Sequence, residues 1–167
     1  MDGPPDPFPI LNRLFWLLCL VCIGFYYFAA RREIARLTPR DEPRRATANR
    51  YIARFSLAVA VPWLVMGWAQ LVGAVPSIWY YFRPQERNPY VLAWLGSLFA
   101  LAVAYAYWVF LCDGARKLRE LHLLRAVGLG FADRLPDGVI KLIAAIGPFW
   151  VLLWGYVAVH SNAPIPR

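Results

Sequence analysis

Positions free of Asp, Glu, Lys and Arg gather into four long blocks: Leu14–Ala30 (17 residues), Phe55–Phe82 (28), Asn88–Cys112 (25) and Leu142–Pro166 (25). A helix crossing the hydrocarbon core needs roughly 20 apolar residues, with a range of about 17–25. Each block is long enough. None shows the period-two alternation of a barrel strand, and backbone groups in lipid must find their partners internally. The pattern predicts an all-α polytopic membrane protein, a single domain 1–167 with transmembrane helices near 10–30, 55–75, 90–112 and 139–160. Connections 31–54 and 113–138 then lie on one side of an up-down bundle.

The connections differ in kind. Thr38-Pro39 and Glu42-Pro43 mark an irregular turn across Leu37–Pro43, and Arg44–Arg54 leads into the second span as a basic helical start. In the third connection, Leu118, Leu121 and Leu123 or Leu124 share a face opposite basic residues. That spacing predicts a short amphipathic cytoplasmic helix, extending the third span or lying on the membrane, and ending at Gly128, Gly130 and Pro136. The aromatic run Ile78–Phe82 is expected in the headgroup zone. Tyr51, Trp63, Trp79, Tyr80, Tyr81, Tyr90 and Trp94 are expected in interfacial belts.

Composition narrows the class. Hydrophobic residues make up 60% of the chain and aromatic ones 16%, while charged residues reach only 17% against about 25% in soluble domains. A soluble fold of this size cannot hide that surface, and disordered chains lack such residues. The net charge of +8 suits a nucleic-acid reader, but 8 Trp in so apolar a chain do not, and no nucleic-acid partner is expected.

The charge is better explained by orientation. Fourteen basic residues fall at the first and third connections: Arg31, Arg32, Arg36, Arg40, Arg44, Arg45, Arg50, Arg54, Arg116, Lys117, Arg119, Arg125, Arg134 and Lys141. Four lie on the other side: Arg13, Arg83, Arg87 and Arg167. The positive-inside rule then sets the basic loops in the cytoplasm and both termini outside, in a plasma (bacterial inner) membrane. The tail Met1–Pro9 is acidic and Pro-rich, and the first block ends in Phe25–Phe28 before Arg31-Arg32. A retained anchor is expected, not a cleaved signal.

Inside lipid, close backbone approach and interhelical hydrogen bonds drive association. Gly96, Ala100 and Ala104 form a small-residue strip on the third span, a candidate bundle centre or homo-oligomer contact, with Gly67, Gly73, Gly147 and Gly155 as partners. Pro62 and Pro148 each remove a backbone donor and predict kinks, leaving the carbonyls near Ala58 and Ala144 free. Pro62…Trp68 resembles Pro148…Trp154, and Ala30-Arg31-Arg32 resembles Ala115-Arg116-Lys117, at offsets of 86 and 85 residues. Two parallel two-helix repeats would account for this.

Candidate chemistry is sparse. Cys19 and Cys22 form a C-x-x-C at mid-span, without the turn that activates such thiols, and fit a role as small apolar residues. His122 and His160 fall on opposite faces, so they cannot share a haem or a metal. Gln70 is the clearest polar group in a span, suited to one interhelical hydrogen bond. No phosphate loop, nucleophile elbow or H-E-x-x-H is present. One rim, Asp113, Arg116, His122, Asp137 and Lys141, combines acid, base and guanidinium groups that could act on a phosphorylated lipid. Asp-Gly at a span boundary also serves simply as turn chemistry. Arg31, Arg32, Arg44, Arg45, Arg116 and Lys117 are candidate contacts for anionic lipid headgroups.

These features point first to a small non-catalytic membrane protein, an accessory subunit or self-associating scaffold. It needs neither metal nor cofactor, and its partners are the bilayer and other membrane subunits or copies of itself. The alternative is a membrane enzyme or transporter handling a lipid-like molecule at the cytoplasmic rim.

Overall fold

The structure, a computed structural model, describes residues 9–129, 131 and 135–160. The tail up to Phe8, Gly130, Arg134 and the residues after His160 lie outside this set, and with them the acidic N-terminal positions and Arg167.

Among the described residues there are six α-helices: α1 (Pro9–Leu37), α2 (Glu42–Leu71), α3 (Pro89–Leu111), α4 (Gly114–Glu120), α5 (Leu123–Ala126) and α6 (Asp137–His160). Four of them, α1, α2, α3 and α6, are long and apolar enough to span a membrane. No strand occurs among the described residues. At 1.5 Å per residue, the 29 residues of α1 and 30 of α2 run about 45 Å, well beyond a hydrocarbon core of about 30 Å. Residues 31–54 are therefore helical except at 38–41. Arg, Ala, Leu and Glu sustain the helix where the apolar block stops, until Pro39 ends it. The Asp41 carboxylate caps α2 by accepting from the Arg44 N–H at 3.0 Å, and Pro43 fits the first turn, where its missing donor does no harm.

The third connection departs from one amphipathic helix. Among its described residues the α-helical part is two short pieces, α4 and α5, broken at Leu121-His122, where His122 adopts a left-handed backbone (φ 53°). A second left-handed residue, Asp113 (φ 56°), separates α4 from α3, so the segment does not extend the third span. Leu118 and Leu123 are buried under the long helices, so this connection closes one end of the fold.

The main helix contacts run α1 on α2, α2 on α3 and α3 on α6. The interior divides into two clusters. One, at the basic end, gathers Ala30, Ile34, Ala48, Ile52, Val109, Ala115, Leu118, Leu123, Ile140 and Ala144. The other, at the far end, gathers Met66, Ala69, Val75, Tyr81, Val91 and Trp94.

The Ile78–Phe82 segment is a 3-10 turn folded into that second cluster. Tyr81 is wholly buried, donates its hydroxyl to the Met66 carbonyl at 3.2 Å, and meets Trp94 edge-on at 5.0 Å between ring centroids. Trp94 in turn contacts Trp154 of α6 at 5.7 Å. Two of the aromatics expected in an interfacial belt, Tyr81 and Trp94, are thus core residues. Rings packed edge to face contribute about 0.5–1.5 kcal/mol per pair beyond the area they bury.

Candidate functional site

Between the two clusters the long helices stand apart. On α2 the basic-end cluster takes Ala48 and Ile52 and the far cluster begins at Trp63; on α6 the corresponding residues are Ala144 and Trp154. The intervening turns enclose a half-open cavity of about 820 Å³. Its wall is formed by Tyr26 of α1, Phe55 and Ala58 of α2, Ala104, Tyr105 and Trp108 of α3, and Gly147 of α6. Phe55 meets Trp108 edge-on at 5.0 Å, and Tyr51, which also lines the cavity, lies 5.6 Å from the same indole, so the aromatic wall is a connected set of rings. Arg54 is the one charged side chain among its described lining residues. The space is apolar, as large as a ligand pocket for a drug-sized molecule, and lies at the depth of the spans.

A second opening of about 590 Å³ adjoins it, between α1 and α5, lined by Arg32, Glu33, Arg36 and Arg125 among others. Tyr26 and Val127 line both openings.

The rim residues are divided among separate partners. Asp113 faces Arg116 at 3.4 Å, and Arg116 also reaches Glu120 at 3.7 Å. Asp137 pairs with Arg119 at 3.2 Å, which ties α4 to the start of α6. His122 Nε2 lies 3.4 Å from Arg44 Nη2, joining the two basic connections. Lys141 is half-buried on the first turns of α6. The two aspartates are thus held by different arginines instead of sharing one substrate-sized space.

The proposed headgroup residues are similarly distributed. Arg31 folds back onto Tyr27, with a 3.1 Å hydrogen bond to its hydroxyl. Arg45 pairs with Glu42. Lys117 Nζ donates to the Cys112 carbonyl at 2.7 Å, completing the end of α3. Arg32 lines the α1–α5 opening.

The small-residue strip is divided, with Ala104 on the cavity wall and Gly96 and Ala100 outside it. Gly96, Ala100 and Ala104 are all exposed, and a Cβ on Gly96 would meet nothing within 4 Å. The glycine that permits close helix approach is Gly67, where a Cβ would stand 2.5 Å from Trp16 Cε3. Gln70 does make an interhelical hydrogen bond, from Nε2 to the Asn12 carbonyl at 3.4 Å. Pro62 and Pro148 lie inside helices that continue on either side of them. Cys19 is half-buried and Cys22 exposed on α1, both as free thiols. His160 Nδ1 donates to the Tyr156 carbonyl at 2.8 Å. Among the described residues no three His, Cys, Asp or Glu side chains gather where a metal could be held.

In the sequence, Tyr51, Ala58, Ala104 and Gly147 stand out for other roles and not together as a cavity wall. The available signal was the series Leu98, Leu101, Tyr105, Trp108 on α3 opposite Tyr51 and Phe55 on α2, apolar and aromatic residues at helical spacing. Comparison with protein-family models, with curated proteins and with solved structures gives no match.

Proposed function

We propose that this is an integral membrane protein whose four long helices form an up-down bundle that holds a lipid-like apolar molecule between its spans. The cavity walled by Tyr26, Phe55, Ala58, Ala104, Tyr105 and Trp108 carries the reading. A half-open space of about 820 Å³ lined mostly by apolar residues of the long helices suits a ligand drawn from the bilayer, where transfer between two apolar phases has little cost. The role is binding or presentation instead of bond-breaking, a view supported by the rim acids, each already in its own ion pair. The fourteen-to-four partition of basic residues supports an orientation with the cavity's basic end in the cytoplasm and both termini outside.

The test is mass spectrometry of molecules carried through purification in a mild detergent. Wild type is expected to retain about one apolar molecule per chain. The Ala58→Phe/Ala104→Phe variant, which adds two phenyl rings to the wall, is expected to lose it while keeping its thermal midpoint. Equal retention by both proteins would sink the reading.

A second reading, a self-associating scaffold or accessory subunit, is favoured by the outward face of Gly96 and Ala100, where lipid or another helix must be the neighbour. The same native spectra test it, since a strictly monomeric species with no co-purifying subunit would remove it.

A further inference from the structure

We infer that the cleft between α1 and α5 receives the phosphate headgroup of an anionic phospholipid whose acyl chain lies in the adjoining cavity. This rests on the ligand-holding reading above and names the ligand class. The argument starts from α1, which leaves the apolar block at Ala30 and continues as helix to Leu37. Tyr26, Ala29, Arg32, Glu33 and Arg36 therefore fall along one face, spread over about 15 Å at 1.5 Å per residue. The lower end of that face is at the depth of lipid chains. Its upper end is at the level of headgroups.

Arg125 of α5 faces this stripe across the opening of about 590 Å³. Among its described lining residues the cleft has three guanidinium groups and one carboxylate, Glu33, which lies 3.5 Å from Arg36. An excess of two positive charges remains. Guanidinium forks match phosphate oxygens in geometry as well as charge. Because Tyr26 and Val127 border both openings, an amphiphile can pass from one to the other without leaving the protein.

A lipid phosphate fits better than a free one. The three arginines are exposed, and exposed charges hold an isolated anion weakly in water. A phospholipid arrives with its phosphate already at that height, and its chain exchanges bilayer for cavity at little cost. Selection among lipids then rests on the headgroup. At roughly fivefold per basic residue near an anionic lipid, an excess of two charges gives a preference of about 25-fold.

The experiment reconstitutes the full chain in vesicles of equimolar phosphatidylglycerol and phosphatidylcholine with identical acyl chains. The protein is then extracted in mild detergent, and retained lipid is counted by native mass spectrometry. Wild type should favour phosphatidylglycerol about 25-fold. Arg32→Gln/Arg36→Gln/Arg125→Gln should bring the ratio close to the input while total retained lipid holds. Arg40→Gln/Arg50→Gln/Arg87→Gln, which removes the same charge from exposed positions outside the cleft, should leave the preference intact. Equal loss in the two arginine sets, or an unchanged ratio in the cleft set, overturns the headgroup assignment. So does displacement of the lipid by glycerol phosphate at millimolar concentration, which would mark a site for soluble phosphate. Full lipid retention by Ala58→Phe/Ala104→Phe, with the cleft effect preserved, instead overturns the placement of the chain in the cavity.

Discussion

Replacing Gly67 by alanine should destabilise the protein although alanine is the better helix former. The new Cβ would stand 2.5 Å from Cε3, 2.6 Å from Cδ2 and 3.1 Å from Cε2 of Trp16. Those are atoms at the ring fusion, about 1 Å or more inside the ~3.5–4.0 Å optimum for carbon contacts. The indole cannot swing away by a terminal torsion alone, and its neighbours in the far cluster include Phe15 and Trp63. Overpacking of this kind costs about 1–3 kcal/mol. The helix preference for alanine offsets about 0.8–1.0 kcal/mol of it. The net loss is up to about 2 kcal/mol, or up to roughly 4–8 °C in the thermal midpoint of a chain this long. Tryptophan fluorescence or loss of monodisperse protein on heating in mild detergent measures it. A Trp16→Ala background removes the clash, so there Gly67→Ala should be neutral or stabilising. The same cost in both backgrounds would refute the argument.

Two further outcomes follow from the packing. Gly114→Ala puts a Cβ 2.6 Å from Trp108 Cε3 and 2.7 Å from the Trp108 carbonyl oxygen. A backbone oxygen cannot retreat, so the cost of about 1–3 kcal/mol should persist when Trp108 is truncated, in contrast to the Gly67 case; rescue by Trp108→Ala would contradict it. Burial pushes the Tyr81 phenol up from its ordinary value to about 12. Its raised value means that the unfolded chain ionises first, so the stability it contributes is complete below about pH 10 and is lost between about pH 10 and 12. Tyr81→Phe should lower stability at neutral pH by about 1 kcal/mol and flatten the alkaline part of the thermal-midpoint profile. An unchanged slope above pH 10 would rule Tyr81 out as its source.

The four long helices were legible because hydropathy alone reports them: a run that must satisfy its backbone inside lipid has only the helix available. What hydropathy could not report was where those helices stop, since Arg31–Leu37 and Arg44–Arg54 are as helix-competent as the spans they continue. Nor could it report the break at His122, because a left-handed residue there depends on Leu118 and Leu123 both reaching the core. The cavity was hidden for a related reason. In a helix apolar on every side, the periodicity that separates inward from outward faces disappears. Gly96, Ala100, Ala104 and Trp108 were equally plausible interior positions by sequence, and only the packing of α2 against α3 sets Ala104 and Trp108 on the cavity and Gly96 and Ala100 away from it. Gly67 needed a specific partner, Trp16, more than fifty residues away.

The division of the interior into two clusters has a mechanical consequence. Each long helix is fastened near both ends and left with few inward neighbours at its waist, where Pro148 of α6 and, at the margin, Pro62 of α2 interrupt the hydrogen-bond ladder. Such a frame bends in the middle without loosening at its fastenings. Its girth can therefore adjust to a thinner or thicker occupant while the loops and the aromatic turn keep their positions. Occupancy would be sensed as a change in the outline of the protein within the bilayer, visible to any neighbouring helix, and not as a change in the shape it presents to water.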